Sequence, residues 1–414
     1  MKQLFRLFFL FFSYGVLAQN ISNSPYSRFG LGDLQSNSSA VYSSMGGVGI
    51  AINNPRSINL KNPASYAWVF KQQFTLEAGL AHQTNLLSTN TIDQITNATK
   101  FNYLKMGFPV TRWWGSSFGL IPFSEKAYSF EDYNEVENVR YTFEGNGGIS
   151  NFYFGNGFRP HKNISFGVNF NYLFGSIVTS RKAVFDDSSY LNAKAEEETI
   201  INGLHYDFGL LLFKDLKRWK INLGFTFDNG STIDAEQNLF TQTFRVNGTG
   251  ELLEDTVQYI RLDKGELVLP SSMGYGFSLV NDKWLIAADF QIKNWTEYQL
   301  FGQSDNLQNS SMLSVGAEYI PDSKAINNYF KMIRYRVGFY NGKSYLNLRQ
   351  QSIDRSAVTI GVGLPLKRSN TLINLSTEIG QSGTTDNNLI KQSFVNFKIG
   401  FVLSDVWFIK RKYD

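Results

Sequence analysis

The residues that could carry out chemistry are few and scattered along the chain. The 414 residues include three histidines, His82, His161 and His205, and no cysteine. No histidine has another at metal-ligand spacing, and neither a Gly-x-Ser-x-Gly nucleophile motif nor a Walker-type phosphate loop occurs. The sequence therefore assigns no catalytic residue, no metal ligand and no cofactor, and it predicts a protein that is not an enzyme.

The elements that carry these residues are predicted strands. Five segments alternate apolar and polar residues with a period of two, so each has one strongly apolar face. These segments are residues 164–174, 204–212, 219–227, 333–340 and 394–403. Weaker segments of the same kind bring the total to roughly 14 to 17 strands. Strands of about ten residues with one apolar face suit a tilted crossing of a lipid bilayer.

The polar faces of these strands indicate what lies inside the sheet. They combine glycines with scattered charges, as expected of a crowded, hydrated lumen. The residues predicted to line it are His205, Asp207, Arg334, Arg336, Glu378 and Lys398. A soluble β-sandwich would also alternate, but it uses shorter strands and rarely this many. We therefore predict an all-β, transmembrane antiparallel barrel of about 14 strands, which satisfies every backbone hydrogen bond within lipid.

Aromatic residues support this prediction. They form 15% of the chain, with 36 Phe and 21 Tyr, and a membrane barrel places such residues on its lipid face and in two interfacial girdles. We expect the tryptophans near predicted strand ends to belong to these girdles: Trp113, Trp114, Trp284, Trp295 and Trp407. Polar stretches at 181–200, 228–237 and 300–310 are predicted to be surface loops.

The N-terminus predicts export. Lys2 and Arg6 precede a short apolar run, and Val16 and Ala18 fit a cleavage site, so residues 1–18 are predicted to be a secretory signal peptide. A short anchor helix is the alternative. Loss of Lys2 and Arg6 lowers the formal charge from +4 to +2, which gives no strong electrostatic case for nucleic acid. The predicted location is the outer membrane of a Gram-negative bacterium.

One segment carries a family resemblance. The sequence SMGGVGIAINNPRSINLKNPASYA, residues 44–67, resembles the N-terminal signature of FadL-type hydrophobic-compound transporters. The matching positions are Met45, Gly46, Gly47 and Gly49, followed by Asn62, Pro63 and Ala64. The upstream SPYSRFGLGDL and the C-terminal DVWFIKRKYD look like a subgroup common in Bacteroidetes-type bacteria.

The resemblance implies a domain organisation. Members of the family have a 14-stranded barrel whose N-terminal segment folds inward and blocks the lumen. By that analogy residues 19–66 form a plug, residues 67–403 the barrel, and residues 404–414 a periplasmic tail. Further plug residues are expected upstream of the motif: Pro25, Tyr26, Arg28, Phe29, Gly30, Gly32 and Asp33. A disordered periplasmic tail over residues 19–43 is the alternative.

The resemblance also implies a route for substrate. Family transporters bind apolar molecules in a pocket and release them sideways through a gap in the wall. Gly119 and Pro122 are the candidate gap here, because Pro122 cannot donate to a strand ladder. A proline at a strand end or bulge is the alternative. Arg334 and Arg336 could attract a fatty-acid carboxylate or simply form salt bridges in the lumen.

The functional prediction is passive uptake of small hydrophobic compounds, such as long-chain fatty acids. The expected partners are membrane lipid and a hydrophobic ligand. The alternative is a non-transporting barrel subunit of an outer-membrane protein secretion or assembly complex, with envelope proteins as partners. A roomy apolar pocket beside the plug would favour transport, whereas a lumen filled with side chains would favour the subunit. An enzymatic barrel, such as a lipase or protease, is the third and remotest possibility.

Overall fold

The computed structural model of the protein describes residues 24–36, 38–69, 73–247, 250–261, 264–325, 327–367 and 369–406. The predicted signal peptide lies outside the described residues, as do Trp407 and most of the predicted C-terminal tail. Among the described residues, no helix has the length and hydropathy needed to cross a membrane.

Strands dominate the chain. The strands are β1 (Asp33–Leu34), β2 (Gln73–Ser88), β3 (Asp93–Pro109), β4 (Trp114–Glu125), β5 (Tyr128–Asn134), β6 (Val139–His161), β7 (Ile164–Phe185), β8 (Asn192–Leu216), β9 (Trp219–Asp228), β10 (Ser231–Asn247), β11 (Gly250–Arg261), β12 (Gly265–Leu269), β13 (Ser272–Val280), β14 (Trp284–Lys293), β15 (Gln299–Leu300), β16 (Ser310–Tyr319), β17 (Arg334–Lys343), β18 (Asn347–Leu348), β19 (Gln351–Ser352), β20 (Arg355–Pro365), β21 (Leu372–Ser382) and β22 (Lys391–Val406). One α-helical turn, α1, spans Ala40–Ser43, and short 3₁₀ helices span Pro25–Arg28, Pro63–Trp68, Trp295–Glu297, Tyr329–Lys331 and Asp386–Asn388.

The strands form a closed antiparallel barrel. Several consecutive elements are pieces of one wall strand, because β4 and β5 both pair with β6, β9 and β10 both pair with β8, and β11, β12 and β13 pair with β10 or β9. Fourteen wall strands result. The first and last, β2 and β22, pair over their whole lengths and close the ring. The predicted fold class is therefore confirmed.

The two faces of each strand lie as the alternation predicts. Phenylalanines from the predicted apolar faces are exposed on the outside of the barrel, with exposed fractions between 39% and 49%: Phe166, Phe208, Phe225, Phe339 and Phe401. Polar residues from the opposite faces are buried inside: Ser165, Asn222 and Lys398. The apolar exterior is the surface that a lipid bilayer requires.

One member of the predicted aromatic girdle lies elsewhere. Trp113 and Trp284 are exposed on the barrel's exterior. Trp295 is buried, with only 3% of its surface exposed, because its loop folds inward over the barrel mouth. The girdle prediction is wrong for Trp295, since proximity to a strand end does not reveal which way the adjoining loop turns.

The wall is uneven in height. The strands β6, β7 and β8 contain 23, 22 and 25 residues, whereas β17 contains 10. The predicted loops at 181–200 and 228–237 are mostly parts of β7, β8 and β10. The loop prediction failed there because charged residues replace the apolar face. Lys182 of β7, for example, pairs with Glu144 of the adjacent β6 at 3.1 Å and with Glu251 of the non-adjacent β11 at 2.7 Å.

The two ends of the barrel differ. At one end, here called the short-turn end, four connections are brief, namely 110–113, 162–163, 217–218 and 281–283, and one, 320–333, is long. At the other, here called the long-loop end, the connections include 294–309 and 344–354. The short turns of membrane barrels face the periplasm and the long loops face outside, and this rule later supplies the proposed orientation.

Residues 24–36 and 38–69, here called the N-terminal segment, lie inside the barrel. Near the long-loop end, β1 pairs with β4, with Asp33 opposite Glu125 and Leu34 opposite Ser124. The chain then descends, and its 3₁₀ helix at Pro63–Trp68 packs against β4, β6, β7 and β8. The first wall strand begins at Gln73 and the last ends at Val406, beside our predicted barrel limits of 67 and 403.

Candidate functional site

A ring of lumen-facing glycines contacts the N-terminal segment; we call it the glycine belt. Its members are Gly115, Gly157, Gly167, Gly209, Gly224, Gly276, Gly316 and Gly338. They lie on β4, β6, β7, β8, β9, β13, β16 and β17, and many are direct partners across neighbouring strands, as in the row from Gly115 through Gly157 and Gly167 to Gly209. The belt therefore surrounds the segment on several sides.

The belt leaves no room for side chains. A Cβ atom at Gly338 would lie 2.1 Å from the backbone nitrogen of Gly46. One at Gly224 would lie 2.0 Å from the carbonyl oxygen of Ile50. Real Cβ atoms essentially never approach other heavy atoms within 3.0 Å. The main chain of the N-terminal segment thus rests directly on the main chain of the wall, and at such close approaches only glycine fits.

Buried wall side chains hold the same part of the segment by its backbone. Asp289 accepts hydrogen bonds from the amides of Gly49 at 2.7 Å and Ile50 at 3.0 Å. The hydroxyl of Ser278 donates to the carbonyl of Ala51 at 2.8 Å. Hydrogen bonds to a charged group contribute about 1.5–3 kcal/mol each, so these contacts fix both the position and the direction of the segment.

A buried ion pair forms a second anchor. Lys105 and Glu77 lie 2.9 Å apart with almost no exposed side-chain surface. Glu77 also accepts from the amide of Ile58 at 2.5 Å, and Lys105 donates to the carbonyl of Ile58 at 2.8 Å. Sequence reasoning did not single out this pair. The sequence feature that could have revealed this pair is a charged residue on the polar face of each of two adjacent predicted strands.

The Met-Gly-Gly-Val-Gly motif forms the tight turn that enters the belt. Gly46 and Gly47 have φ angles of 68° and 76°, which L-residues with side chains rarely adopt. The amide of Gly46 donates to the Thr359 hydroxyl at 2.8 Å, and Met45 is buried against the wall. Gly49 has an ordinary φ, but it packs closely against Asn59 and Lys61.

The Asn-Pro-Ala motif starts the 3₁₀ helix at Pro63–Trp68. The Asn62 side chain caps this helix by accepting from the amide of Ala64 at 3.1 Å. Its amide nitrogen donates to the carbonyl of Ile50 at 2.7 Å and to that of Leu210 on β8 at 3.1 Å. Pro63 begins the helix without an unsatisfied donor. One asparagine therefore links two parts of the segment to the wall.

The upstream motif lies at the long-loop end, beneath a set of apolar side chains that we call the outer cap. From the N-terminal segment the cap includes Tyr26 and Leu31; from the loops it includes Trp295, Tyr298, Leu307, Leu346, Ile353 and Leu389. Tyr26 donates a hydrogen bond to the carbonyl of Ile390. The cap covers the lumen from the side opposite the short turns.

Loop residues hold the outer part of the segment in place. Tyr345 donates to the carbonyl of Gly32 at 2.9 Å, and its ring stacks on Trp295 with centroids 4.5 Å apart. Desolvation raises the pKa of Tyr345 well above its ordinary value, so the phenol remains a neutral donor. Gly32 itself has a φ of 90°, and a Cβ there would lie 2.4 Å from the carbonyl oxygen of Glu125.

The remaining residues of the upstream motif differ in their surroundings. Pro25 is buried at the start of a 3₁₀ helix, Phe29 packs partly against the outer cap, and Gly30 has a φ of 53°. Arg28 is exposed, and the cations that act on the Asp33 carboxylate are Arg355 and Lys100 instead.

A cavity of about 460 Å³ lies between the glycine belt and the outer cap. It is large enough for a small ligand, and its walls combine apolar side chains, such as Phe123, Phe227 and Ile353, with many ionisable ones. The ionisable side chains on them are Asp33, Lys61, Lys100, His205, Asp207, Asp228, Lys293, Lys343, Arg355, Glu378 and Lys398. Ligand pockets for small molecules are usually lined mainly by apolar side chains with few polar groups, and this cavity differs from them in its large number of ionisable side chains.

The predicted lumen-lining residues divide into two groups. His205, Asp207, Glu378 and Lys398 reach the cavity. Arg334 and Arg336 lie outside its lining and are held by Glu318. The Arg334 guanidinium donates to that carboxylate at 2.9 Å, and the Arg336 guanidinium donates to it at 2.7 Å. Because both guanidinium groups are held by Glu318 and lie outside the cavity lining, the geometry does not favour their attracting a fatty-acid carboxylate.

The candidate gap residues lie where two wall strands part. The β3–β4 ladder runs from Pro109 to Leu104 on β3 and ends opposite Leu120 on β4. Beyond that point, β4 contains Pro122 and a register shift, and it pairs with β1 of the N-terminal segment. Gly119 sits just before the parting, with no space for a Cβ against the β3 backbone.

Solved structures share this architecture. The chain is similar to the Ralstonia pickettii toluene transporter TbuX, with a TM-score of 0.60 and 13% identity over 89% of this chain and 98% of that one. It is also similar to the Pseudomonas putida toluene transporter TodX, with a TM-score of 0.60 and 14% identity over 92% of this chain and 100% of that one. A third similar structure is a Pseudomonas aeruginosa FadL homologue, with a TM-score of 0.57 and 10% identity over 91% of this chain and 99% of that one. Comparison with curated proteins finds no match.

The fold is thus that of the FadL-type transport barrels, and the resemblance predicted from residues 44–67 is confirmed at the level of fold. The neighbours are described as transporters and channels rather than enzymes, in agreement with the prediction of a non-enzymatic barrel. The chain belongs to the BamG family, whose model matches residues 1–414. The sequence analysis did not identify this family.

Proposed function

We propose that this protein is a non-transporting barrel subunit of an outer-membrane protein assembly or secretion complex. The observation that carries the proposal is the glycine belt. It seats the main chain of the N-terminal segment on the main chain of the wall, with distances such as 2.0 Å from a Cβ at Gly224 to the Ile50 carbonyl oxygen. A segment seated this way cannot shift within the lumen without opening voids around much of the ring.

The polarity of the cavity supports the same proposal. A transporter of apolar molecules needs an apolar pocket, whereas this cavity carries eleven ionisable side chains, among them Lys100, Arg355 and Lys398. Ionisable groups contribute no hydrophobic free energy to the binding of a hydrocarbon, so their number weighs against an apolar ligand. The name of the family, BamG, favours the same proposal.

In the proposed orientation the short-turn end faces the periplasm and the tall strands rise outside the cell. There β11 pairs with β10, and its other edge has no ladder among the described strands. Leu252, Leu253, Val257 and Tyr259 on β11 are all more than half exposed. An unpaired edge with exposed apolar side chains suits the addition of an extended strand from another protein. We propose this edge as a contact with a partner subunit.

The proposal is tested by native isolation. The tagged protein, expressed at its natural level, is extracted from its own membranes in mild detergent, sized, and identified with everything bound to it by mass spectrometry. A stoichiometric complex with other envelope proteins, free of apolar small molecules, is expected. A lone barrel that carries fatty-acid-like molecules would overturn the proposal.

A pair of variants locates the contact. Leu252→Glu with Leu253→Glu places two charges on the exposed apolar part of β11 and should reduce the recovered partner at least tenfold. Thr256→Glu with Gln258→Glu adds the same charge to polar positions of the same strand and should leave recovery unchanged. Equal recovery of the partner with both variants would show that the contact is not at this edge. The subunit proposal itself is tested by the native isolation.

Passive uptake of hydrophobic compounds is the second candidate. The parting of β3 and β4 beyond Leu104 and Leu120 favours it, because it places an interruption of the wall beside the cavity. In that function Gly119 and Pro122 would flank the exit, and Asp33 and Leu34 of β1 would close it. Liposomes containing the purified protein and a fluorescent fatty acid test this: protein-dependent transfer favours uptake, and transfer at the rate of empty liposomes excludes it.

A further inference from the structure

A cluster of three side chains on the cavity wall has the form of a metal site. The Nε2 atom of His205 lies 3.2 Å from a carboxylate oxygen of Asp207 and 3.1 Å from one of Asp228. The three potential ligand atoms all lie within 4.8 Å of one another. We propose that His205, Asp207 and Asp228 bind a first-row divalent cation, with Zn²⁺ as the best match.

The separations suit a shared cation. Zn²⁺ binds imidazole nitrogen and carboxylate oxygen at about 2.0–2.2 Å, which places tetrahedral ligand atoms roughly 3.3 Å apart. The measured Nε2–oxygen distances of 3.1 and 3.2 Å are close to this value. A proton on Nε2 can point toward only one of the two carboxylates, Asp207 or Asp228. A cation between the three atoms contacts both carboxylates.

Each proposed ligand is oriented by a neutral partner. The Nδ1 atom of His205 lies 2.9 Å from the Ser231 hydroxyl. The other oxygen of Asp228 accepts from the amide of Gly230 at 2.8 Å, and that of Asp207 accepts from the Asn171 side chain at 2.9 Å. Such outer partners are typical of metal sites, because they fix the imidazole tautomer and aim the free atoms at one point.

Charge also favours a cation. Among the ion pairs of the described residues, the cationic partner of both carboxylates is His205. An imidazolium would leave a net charge of −1 on the cluster in a partly buried site. A divalent cation with a neutral imidazole gives a net charge of zero, which lowers the cost of enclosing two carboxylates.

An orphaned acceptor lies two hydrogen bonds from the site, on the wall of the same cavity. Asn151 is more than nine-tenths buried, lines the same cavity and donates to Asn171, which in turn donates to Asp207. Its side-chain oxygen has no hydrogen-bond partner among the described residues. A water molecule completing the coordination of the cation would supply the missing donor. The cavity supplies the open position that this water needs.

The location suggests a structural role. Asp228 ends β9 and Ser231 begins β10, so this wall strand is interrupted beside the cluster. The neighbouring wall strand is interrupted at the same level, between Leu269 of β12 and Ser272 of β13. A cation bound here would tie the continuous strand β8, through His205 and Asp207, to the broken one.

Metal analysis of the purified protein tests the site. After chelator treatment and equilibration with Zn²⁺, the wild-type protein should retain one Zn²⁺ per chain by elemental analysis, and His205→Gln and Asp228→Asn should each lower retention at least tenfold. His82→Gln and His161→Gln are matched controls, because they remove the other two histidines and should retain one ion. Wild-type retention equal to that of His205→Gln would overturn the proposal.

A second measurement uses only the wild-type protein, so its result does not depend on whether the variants fold. Co²⁺ added to the chelator-treated wild-type protein should give the visible absorption of a four- or five-coordinate site, and Zn²⁺ should displace it at one equivalent. Ca²⁺, which prefers oxygen ligands alone, should not displace it. Absence of a Co²⁺ band in the folded wild-type protein would show that the three residues form an ion triad without metal.

Discussion

The two halves of the N-terminal segment are held by different kinds of contact. Between residues 44 and 67 it lies against the glycine belt, where backbone meets backbone and a Cβ would come within about 2 Å of main-chain atoms. Between residues 24 and 34 it lies under the outer cap, where loop side chains such as Trp295 and Tyr345 pack against it. The contact with the belt is between main chains, which cannot repack, whereas the contact with the cap consists of side chains that can repack.

This difference bears on function. A gate has to open, and only the outer half of the segment is held by contacts that can be broken one at a time. The inner half has anchors on opposite sides of the ring, at Asp289 on β14 and at the Lys105–Glu77 pair on β3 and β2. We therefore expect the belt to act as a permanent seal and the cap to determine how accessible the cavity is from outside.

The largest effect should follow from adding a methyl group to the belt. Gly338→Ala places a Cβ 2.1 Å from the Gly46 nitrogen, and neither backbone can rotate away. A loss of about 4–5 kcal/mol or more is expected, at the extreme of single substitutions. The fraction of protein that migrates as a folded barrel in unheated gel electrophoresis measures it.

A second lumen glycine provides the control for this prediction. Gly363 on β20 also faces inward, but a Cβ there would meet mainly flexible side chains, those of Arg336 and Asn374, at 3.0 and 3.1 Å. Gly363→Ala should therefore yield a folded barrel. Equal amounts of folded Gly338→Ala and Gly363→Ala protein would contradict the idea that the belt is a rigid seat.

The next effect concerns the buried ion pair. Lys105→Met leaves the Glu77 carboxylate buried without its cation and should lower the free energy of unfolding by about 3–5 kcal/mol. The double variant Lys105→Met with Glu77→Gln removes the unpaired charge and should recover part of that loss. Urea titration of the two variants in detergent gives both values, and a double variant no more stable than the single one would contradict this account.

A smaller and more local effect is expected at the cap. Tyr345→Phe removes the hydrogen bond to the Gly32 carbonyl at a cost of about 1 kcal/mol and keeps the ring stacked on Trp295. Hydrogen exchange followed by mass spectrometry should show faster exchange in residues 24–34 and unchanged exchange in residues 44–67. Acceleration of both regions would mean that cap and belt open together.

The sequence predicted the architecture because lipid imposes a strict rule. Alternation in segments such as 164–174 and 394–403 follows from the need for an apolar exterior, and the structure confirms it. Where strands rise above the apolar band, as in residues 192–200 of β8, both faces meet water or charged neighbours and the alternation disappears. Those parts were predicted as loops for that physical reason.

The site was harder to predict because its contacts connect distant residues. The motif glycines at 46 and 47 were identified from sequence, but the wall residue against which Gly46 packs is another glycine nearly 300 residues away, Gly338. A wall glycine that meets the segment looks, in sequence, like any strand glycine. The contact between His205 and Asp228 was hidden for a related reason, since the two residues meet only through the pairing of β8 with β9.

The smallest effect tests the tall strands, where ion pairs replace apolar packing. Lys182 bridges Glu144 and Glu251 across three strands, but its partners are partly exposed, so water screens the charges. Lys182→Met should therefore lower the free energy of unfolding by no more than about 1 kcal/mol. Raising the salt concentration should reduce the difference from wild type further, in contrast with the buried Lys105→Met variant, whose loss should not respond to salt. A salt-insensitive loss above about 2 kcal/mol would mean that the tall strands carry a buried, desolvated ion network, and the distinction between a rigid belt and adaptable outer parts would then have to be redrawn.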